Sequence, residues 1–340
     1  MRIFRYILFR LLILIPLLLG IFTVVFLIIH VLPGDPVQLI AGSMASKETI
    51  QSITERLNLD KPLSTQYWMY LKGLFRLDLG TSWFTGNPVT QDIMLRFPAT
   101  LELITLSLLV TIVVSIPLGV LVAMRPRGIP GRLIGRSGFY YGMLAGSLPD
   151  FWFGLIFIFV FYYKLQLFPA PFGRIDPAIA PPAQVTGIYV LDSLFTGNWA
   201  ALRSAFYYLA LPVGTLSLVY SPILVKVVYS AMNANREGSF VRFAQACGLS
   251  RLRTMAYAFQ NSLPPVITIV AIIYGYLLGG AVLVETIFSW SGIGQYAVQS
   301  IVYMDFAAIQ GFVIVAAVFS VLVYLAVDIL YLLVDPRIEF

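Results

Sequence analysis

Thr100-Leu-Glu-Leu-Ile-Thr-Leu-Ser-Leu-Leu-Val-Thr-Ile-Val-Val-Ser-Ile-Pro-Leu-Gly-Val-Leu-Val-Ala-Met124 carries a single charge, Glu102. As an α-helix rising about 1.5 Å per residue, a run of this length exceeds the roughly 30 Å of a bilayer's hydrocarbon core. It is followed at once by Arg125, Arg127, Arg132 and Arg136 without an acid among them. An apolar run closed by a basic loop reads as a membrane span with its trailing end in the cytoplasm. Working outward, five more runs of similar character occupy about 11–32, 139–163, 206–232, 263–288 and 309–334. Pro16, Pro117, Pro149, Pro212 and Pro222 lie within these runs, a feature membrane helices tolerate when neighbours satisfy the freed backbone groups. The expectation is an all-α integral membrane protein with six transmembrane helices.

Composition agrees. Hydrophobic residues make up 59% of the 340-residue chain and charged residues 11%, against roughly 25% charged in a soluble domain. The mean hydropathy is +0.87. A single cysteine, Cys247, excludes a disulfide framework within the chain and any CxxC metal or redox motif. A single histidine, His30, excludes a His-rich metal cluster or a two-histidine metalloprotease helix. No GxxxxGK[ST] loop is present to cradle ATP phosphates, so the chain is not expected to hydrolyse ATP by itself, and no cofactor of its own is expected.

Charge sets orientation. The loop after the fourth run holds Arg236, Arg242, Arg251 and Arg253 against Glu237. By contrast, the segment after the first run offsets its bases with Asp35, Glu48, Glu55, Asp60, Asp78 and Asp92, and the turn after the fifth has no Lys or Arg. Both termini are therefore expected in the cytoplasm. Arg2, Arg5 and Arg10 precede the first run as in a secretory signal, but the run is longer than the roughly 7–15 residues of a signal core and reads as a retained helix. The net charge of +6 follows from topology and not from nucleic-acid binding, because the bases are spread over inside loops. Residues 1–98 are read as the first helix with an outer segment, and 99–340 as a five-helix core with a cytoplasmic loop at about 233–262.

The outer segments are substantial. Between the first two runs lies a helix-compatible portion at 67–77, framed by turn signals at Pro33-Gly34-Asp35-Pro36, Asp60-Lys61-Pro62 and Gly86-Asn87-Pro88. A second outer segment, about 164–203, is rich in proline, glycine and aromatics. Either serves as a docking surface for an extracytoplasmic partner or as a long surface loop.

The inside segment Phe240-Val-Arg-Phe-Ala-Gln-Ala-Cys-Gly-Leu-Ser-Arg-Leu-Arg-Thr-Met-Ala-Tyr-Ala-Phe-Gln-Asn-Ser-Leu-Pro-Pro265 reads as two short helices. Gly248 stops the first by taking a left-handed conformation. Ser250 is placed to cap the second, and Pro264 and Pro265 mark the start of the fifth span. By itself this is an amphipathic connector at the membrane surface.

Arg242-Phe243-Ala244-Gln245-Ala246-Cys247-Gly248-Leu249 with Leu263-Pro-Pro265 resembles the EAA loop of ATP-binding-cassette importer permeases. More narrowly, the chain looks like the first permease subunit of dipeptide, oligopeptide and nickel importers. The resemblance runs through Leu32-Pro-Gly-Asp-Pro36, Leu57-Asn-Leu-Asp-Lys-Pro-Leu63, Asp78-Leu-Gly80 and Arg96-Phe-Pro-Ala-Thr-Leu-Glu-Leu103. It continues through Ser147-Leu-Pro-Asp-Phe-Trp152, Gly280-Ala-Val-Leu-Val-Glu-Thr-Ile-Phe-Ser-Trp290, Gly292-Ile-Gly294 and Asp335-Pro-Arg337. Arg242 and Phe243 depart from the Glu-Ala that names the loop. Cys247 stands where the branch often has lysine, and Leu77 where it often has glycine.

The resemblance implies the permease fold of type I importers in a bacterial or archaeal cytoplasmic (inner) membrane. Its implied partners are a second homologous permease subunit, two ATPase subunits that bind ATP and Mg, and an extracytoplasmic solute-binding protein. ATPase coupling would fall to Arg242, Phe243, Ala244, Gln245, Ala246, Gly248, Leu249 and Arg251. Ser147, Tyr220, Tyr274 and Glu285 are candidates for the pathway and its outer gate. Peptides are the expected cargo; nickel chelates, oligosaccharides or another small solute would use the same machinery.

Several polar residues fall within the spans. Ser107, Thr111, Ser115, Thr215, Ser217 and Ser221 are read first as helix-packing groups. Lys226 snorkels to the cytoplasmic interface, and His30 is interfacial. Asp150, counted near mid-span, must face protein or water, and with Asp328 is read as hydrogen bonding between helices or subunits. An ion-coupled secondary transporter is the competing class, disfavoured because no second central charge accompanies Asp150. A membrane-embedded enzyme is disfavoured for want of a reactive constellation.

Overall fold

The computed structural model describes residues 2–31, 37, 41–42, 45–56, 58–124, 148–236 and 238–334. Their helices are α1 (Arg2–Val31), α2 (Lys47–Arg56), α3 (Leu63–Phe75), α4 (Val89–Met124), α5 (Asp150–Phe157), α6 (Tyr189–Thr196) and α7 (Trp199–Arg236). They continue with α8 (Ser239–Ala246), α9 (Arg251–Gln260), α10 (Leu263–Ile287), α11 (Ile293–Val302) and α12 (Phe306–Val334). A π-helical stretch, Ile158–Lys164, prolongs α5. Among the described residues there is no strand beyond one isolated bridge between Thr81 and Pro88.

Four helices of the described residues are long and apolar enough to cross a membrane: α4, α7, α10 and, within α12, Phe306–Ile329. The first expected run is represented by the apolar stretch Leu12–Ile28 of α1. The third is represented by Asp150–Lys164, its residues 139–147 lying outside those described. α4 starts at Val89, well before residue 100, because its added turns carry Asp92 in the first turn and fold against the outer segment.

The structure adds a helix start at Asp150. This residue opens α5 and does not lie amid a helix, since Pro149 is extended (φ −63°, ψ 147°) and has no N–H to donate. A carboxylate in the first turn is favoured by the helix dipole.

The chain forms two compact units. In the unit of residues 1–99 and 291–321, α1 meets α3 where Phe26 packs edge-on to Tyr67 at 5.3 Å and Thr23 shares a 2.7 Å hydrogen bond with the Tyr67 hydroxyl. Buried Asp305 caps α12 by accepting from the Ala308 amide, and also accepts from the Ser82 hydroxyl and the Phe84 amide. Phe84 stacks on Tyr303 at 4.0 Å, which clamps the 81–88 turn. Helix α3 ends with Leu77 at φ +58°. The left-handed site explains the glycine that the resemblance places there, because a Cβ is strained in that conformation.

In the unit of residues 100–290 and 322–340, α7 is the hub, packed against α5, α6, α9 and α10. Ser107, Thr111 and Ser115 form an i, i+4 stripe on α4, and Ser217 and Ser221 a matching one on α7. The Ser217 hydroxyl donates to Ser107 O at 3.0 Å and the Ser115 hydroxyl to Ser221 O at 3.2 Å. Gly119 lets the helices close further, since a Cβ there would lie 2.7 Å from Val228. Small residues drive packing where lipid cancels any hydrophobic gain between helices.

Candidate functional site

The segment between α7 and α10 folds as two helices joined by a defined turn. At the end of α8 the Leu249 amide donates to Ala244 O at 3.1 Å and the Gly248 amide to Gln245 O at 3.0 Å. This is a Schellman turn, with Gly248 at the left-handed position, φ +75°. Ser250 occupies the N-cap position of α9, but its side chain makes no capping bond; its carbonyl takes up the Thr254 amide and hydroxyl instead. Pro264 and Pro265 stand in the first turn of α10, where a missing N–H costs nothing.

Helix α8 is sharply two-sided. Val241 and Ala244 are buried, as are Thr254 and Ala258 on α9, which packs against α8 and α7. The opposite side exposes Phe243 (71%) with Phe240, and α9 exposes Leu252 (75%). Arg242, Gln245, Ala246, Cys247 and Gly248 are exposed and Leu249 is partly covered; Arg251 is the first residue of α9. Phe240, Phe243 and Leu252 thus leave apolar side chains exposed on the two helices that flank a fixed glycine turn.

The other sequence candidates are spread through the second unit. The Glu285 side chain is wholly buried on α10 and accepts from the Thr100 hydroxyl at 2.6 Å. Tyr274 shares a 2.7 Å hydrogen bond with Thr105. Tyr220 donates toward Asp150 Oδ2 and lies within reach of Tyr276 O, both at 3.3 Å. Ser147 lies outside the described residues. Tyr220, Tyr274 and Glu285 thus have separate partners and do not form one cluster.

Residues 115–340 match the model described as binding-protein-dependent transport system inner membrane component, and residues 3–104 match the N-terminal model of such membrane components. The chain belongs to this family of inner membrane transport components. A probable D,D-dipeptide transport system permease of Escherichia coli K12, DdpB, is 42% identical over 94% of this chain and 93% of its own. The dipeptide transport system permease DppB of Alkalihalophilus pseudofirmus is 36% identical over 97% of this chain and 98% of its own. The glutathione transport system permease GsiC of Pectobacterium atrosepticum is 31% identical over 99% of each.

Sequence reasoning missed the ion pair of this transport component. Glu102 Oε2 and Arg174 Nη2 lie 2.5 Å apart, with the two side chains 1% and 10% exposed. Arg174 also donates to Gly187 O and lies over the Tyr189 ring at 3.8 Å, while the Val190 amide donates to Glu102 at 2.8 Å. The available signal was that Arg174 is the only basic residue between Lys164 and Arg203. Without the fold, nothing tied it to Glu102.

Asp192, in the same outer segment, was also passed over. It is buried and accepts from the Thr186 amide and hydroxyl, each at 2.7 Å, and from the Gly187 amide at 2.9 Å. Burial alone pushes its carboxyl up, but these hydrogen bonds win and hold it below the ordinary value of 3.8. A depressed folded value means that the stabilisation is fully present above the unfolded value and lost as pH falls through the folded one. The melting-temperature gap between wild type and Asp192→Asn is therefore expected to be constant near neutrality and to shrink below about pH 4. A gap independent of pH across that range would refute the assignment.

Proposed function

We propose that this chain is one of two permease subunits in an ATP-driven importer of peptides, set in a bacterial or archaeal inner membrane. It contributes six transmembrane helices with both termini cytoplasmic, a reading supported by the arginine-rich inside loops and by the apolar helices described above. Cargo is assigned from full-length similarity to permeases named for dipeptide and D,D-dipeptide transport. The similarity to a glutathione permease fits short peptides as the class, with selection resting on a separate solute-binding protein.

The observation that carries the mechanism is the exposed apolar side chains of α8 and α9, Phe240, Phe243 and Leu252, on either side of the Gly248 turn. Two ATPase subunits close on ATP, and one receives these side chains in a cleft. Val241 and Ala244 pack inward on the chain itself, so the push passes through α9 to α7 as a rigid-body movement. The passage then opens alternately to each side. ATP and Mg belong to the ATPases, and this subunit performs no chemistry of its own.

Gentle solubilisation and mass spectrometry of the complex test this reading. The expected result is a second permease, two ATPase copies and, in proteoliposomes supplied with the binding protein, ATP-dependent uptake of dialanine. Transport by the isolated chain, driven by an ion gradient, would overturn it in favour of a secondary transporter.

A further inference from the structure

Asp150 sits where a charge is costly. Its Oδ2 takes the Tyr220 hydroxyl and rests against the α10 backbone, because a Cβ on Gly280 would collide with both groups. Gly280 lies seven residues before the end of α10 at Ile287, roughly 10 Å at 1.5 Å per residue, and so within the hydrocarbon depth. Alongside it, Tyr276 (60% exposed), Gly279 and Leu283 (47%) form one open face of α10 at i, i+3, i+7 spacing. Among the described residues, no Lys or Arg forms an ion pair with the carboxylate. A carboxyl group beside an open helix face is not turned to lipid, so this face borders water or protein.

We propose that Asp150, positioned by Tyr220 and seated on Gly280, is a cation subsite on the wall of the passage, and that it receives the α-ammonium of the peptide in transit. The assignment rests on the peptide reading above. One carboxylate and one phenol suit an ammonium ion, whereas no group of three metal-ligating side chains exists among the described residues. A hydroxyl that also reaches Tyr276 O fixes the orientation of the carboxyl group beside α10.

The test uses the whole importer in nanodiscs and proteoliposomes. A cysteine at Gly279, where an added Cβ meets nothing within 4 Å, is introduced in a Cys247→Ser background for labelling only. A trimethylammonium thiosulfonate is expected to react about tenfold faster than a sulfonate reagent of similar size, and the ratio to collapse when Asp150→Asn is added. Absence of reaction with either reagent, or equal rates with Asp150 intact, overturns the subsite. In uptake, Asp150→Asn is expected to slow dialanine about tenfold while Asp150→Glu retains most activity. Equal uptake by Asp150→Asn and wild type sinks the ammonium assignment alone. A wild-type complex silent towards dialanine sinks the peptide reading and the ammonium assignment with it, whatever the labelling rates.

Discussion

A Gly248→Val complex will insert and assemble, yet deliver less than about a tenth of the wild-type cargo per ATP hydrolysed. The argument is conformational. Nothing lies within 4 Å of an added Cβ at this position, so no clash is involved. The turn itself requires φ +75°, where a non-glycine residue loses roughly 1–2 kcal/mol and a β-branched one more. Valine relieves that strain by opening the Schellman turn, releasing the Leu249 and Gly248 amides from α8 and changing the angle at which α9 leaves it. Phe240 and Phe243 on α8 and Leu252 on α9 then no longer keep their relative placement. Gly248→Asn, which tolerates the left-handed region, should keep most of the coupling. Transport and ATPase rates measured on the same proteoliposomes decide the matter: a valine variant with normal coupling would refute the placement of this turn in the drive train.

Arg174→Ala will destabilise the subunit by about 3–5 kcal/mol, the cost of stranding one partner of a buried ion pair. Glu102 is left with the Val190 amide, in a site to which water has almost no access. The loss includes the guanidinium lying over Tyr189, so packing falls with charge. The double variant Glu102→Gln with Arg174→Met removes both charges and should recover more than half of the stability. Thermal unfolding of the purified complex gives the comparison. A single variant that unfolds within about 0.5 kcal/mol of wild type would mean that the outer segment is an ordinary surface loop.

Which parts of this could be read in advance follows from the range of the forces involved. Helix boundaries near Gly248, Ser250 and Pro264 were legible because caps and stops act within a turn or two of chain. The two faces of α8 were not legible: Ala244 was expected to face the ATPase, but with Val241 it is buried, because α9 packs against this side of α8. Counting along an apolar run placed Asp150 near mid-span but could not show the break at Pro149 that makes it the first residue of α5. Its seat against Gly280 was beyond counting altogether, since the two residues meet only when α5, α7 and α10 pack.

The sequence by itself determined that this protein lives in a membrane, that it is built of helices, that the loops after its second and fourth runs are basic, and that a glycine-turned helix pair sits between the fourth and fifth runs. Each rests on composition, period or local conformational preference, quantities written along the chain. Tertiary structure alone decided that Glu102 holds Arg174, that Ser217 and Ser115 rivet α4 to α7, and that Asp150 stands beside an open face of α10. Those pairings join residues 72 to 130 positions apart, and their register is set by which helix faces close-pack, a choice that local periodicity leaves open.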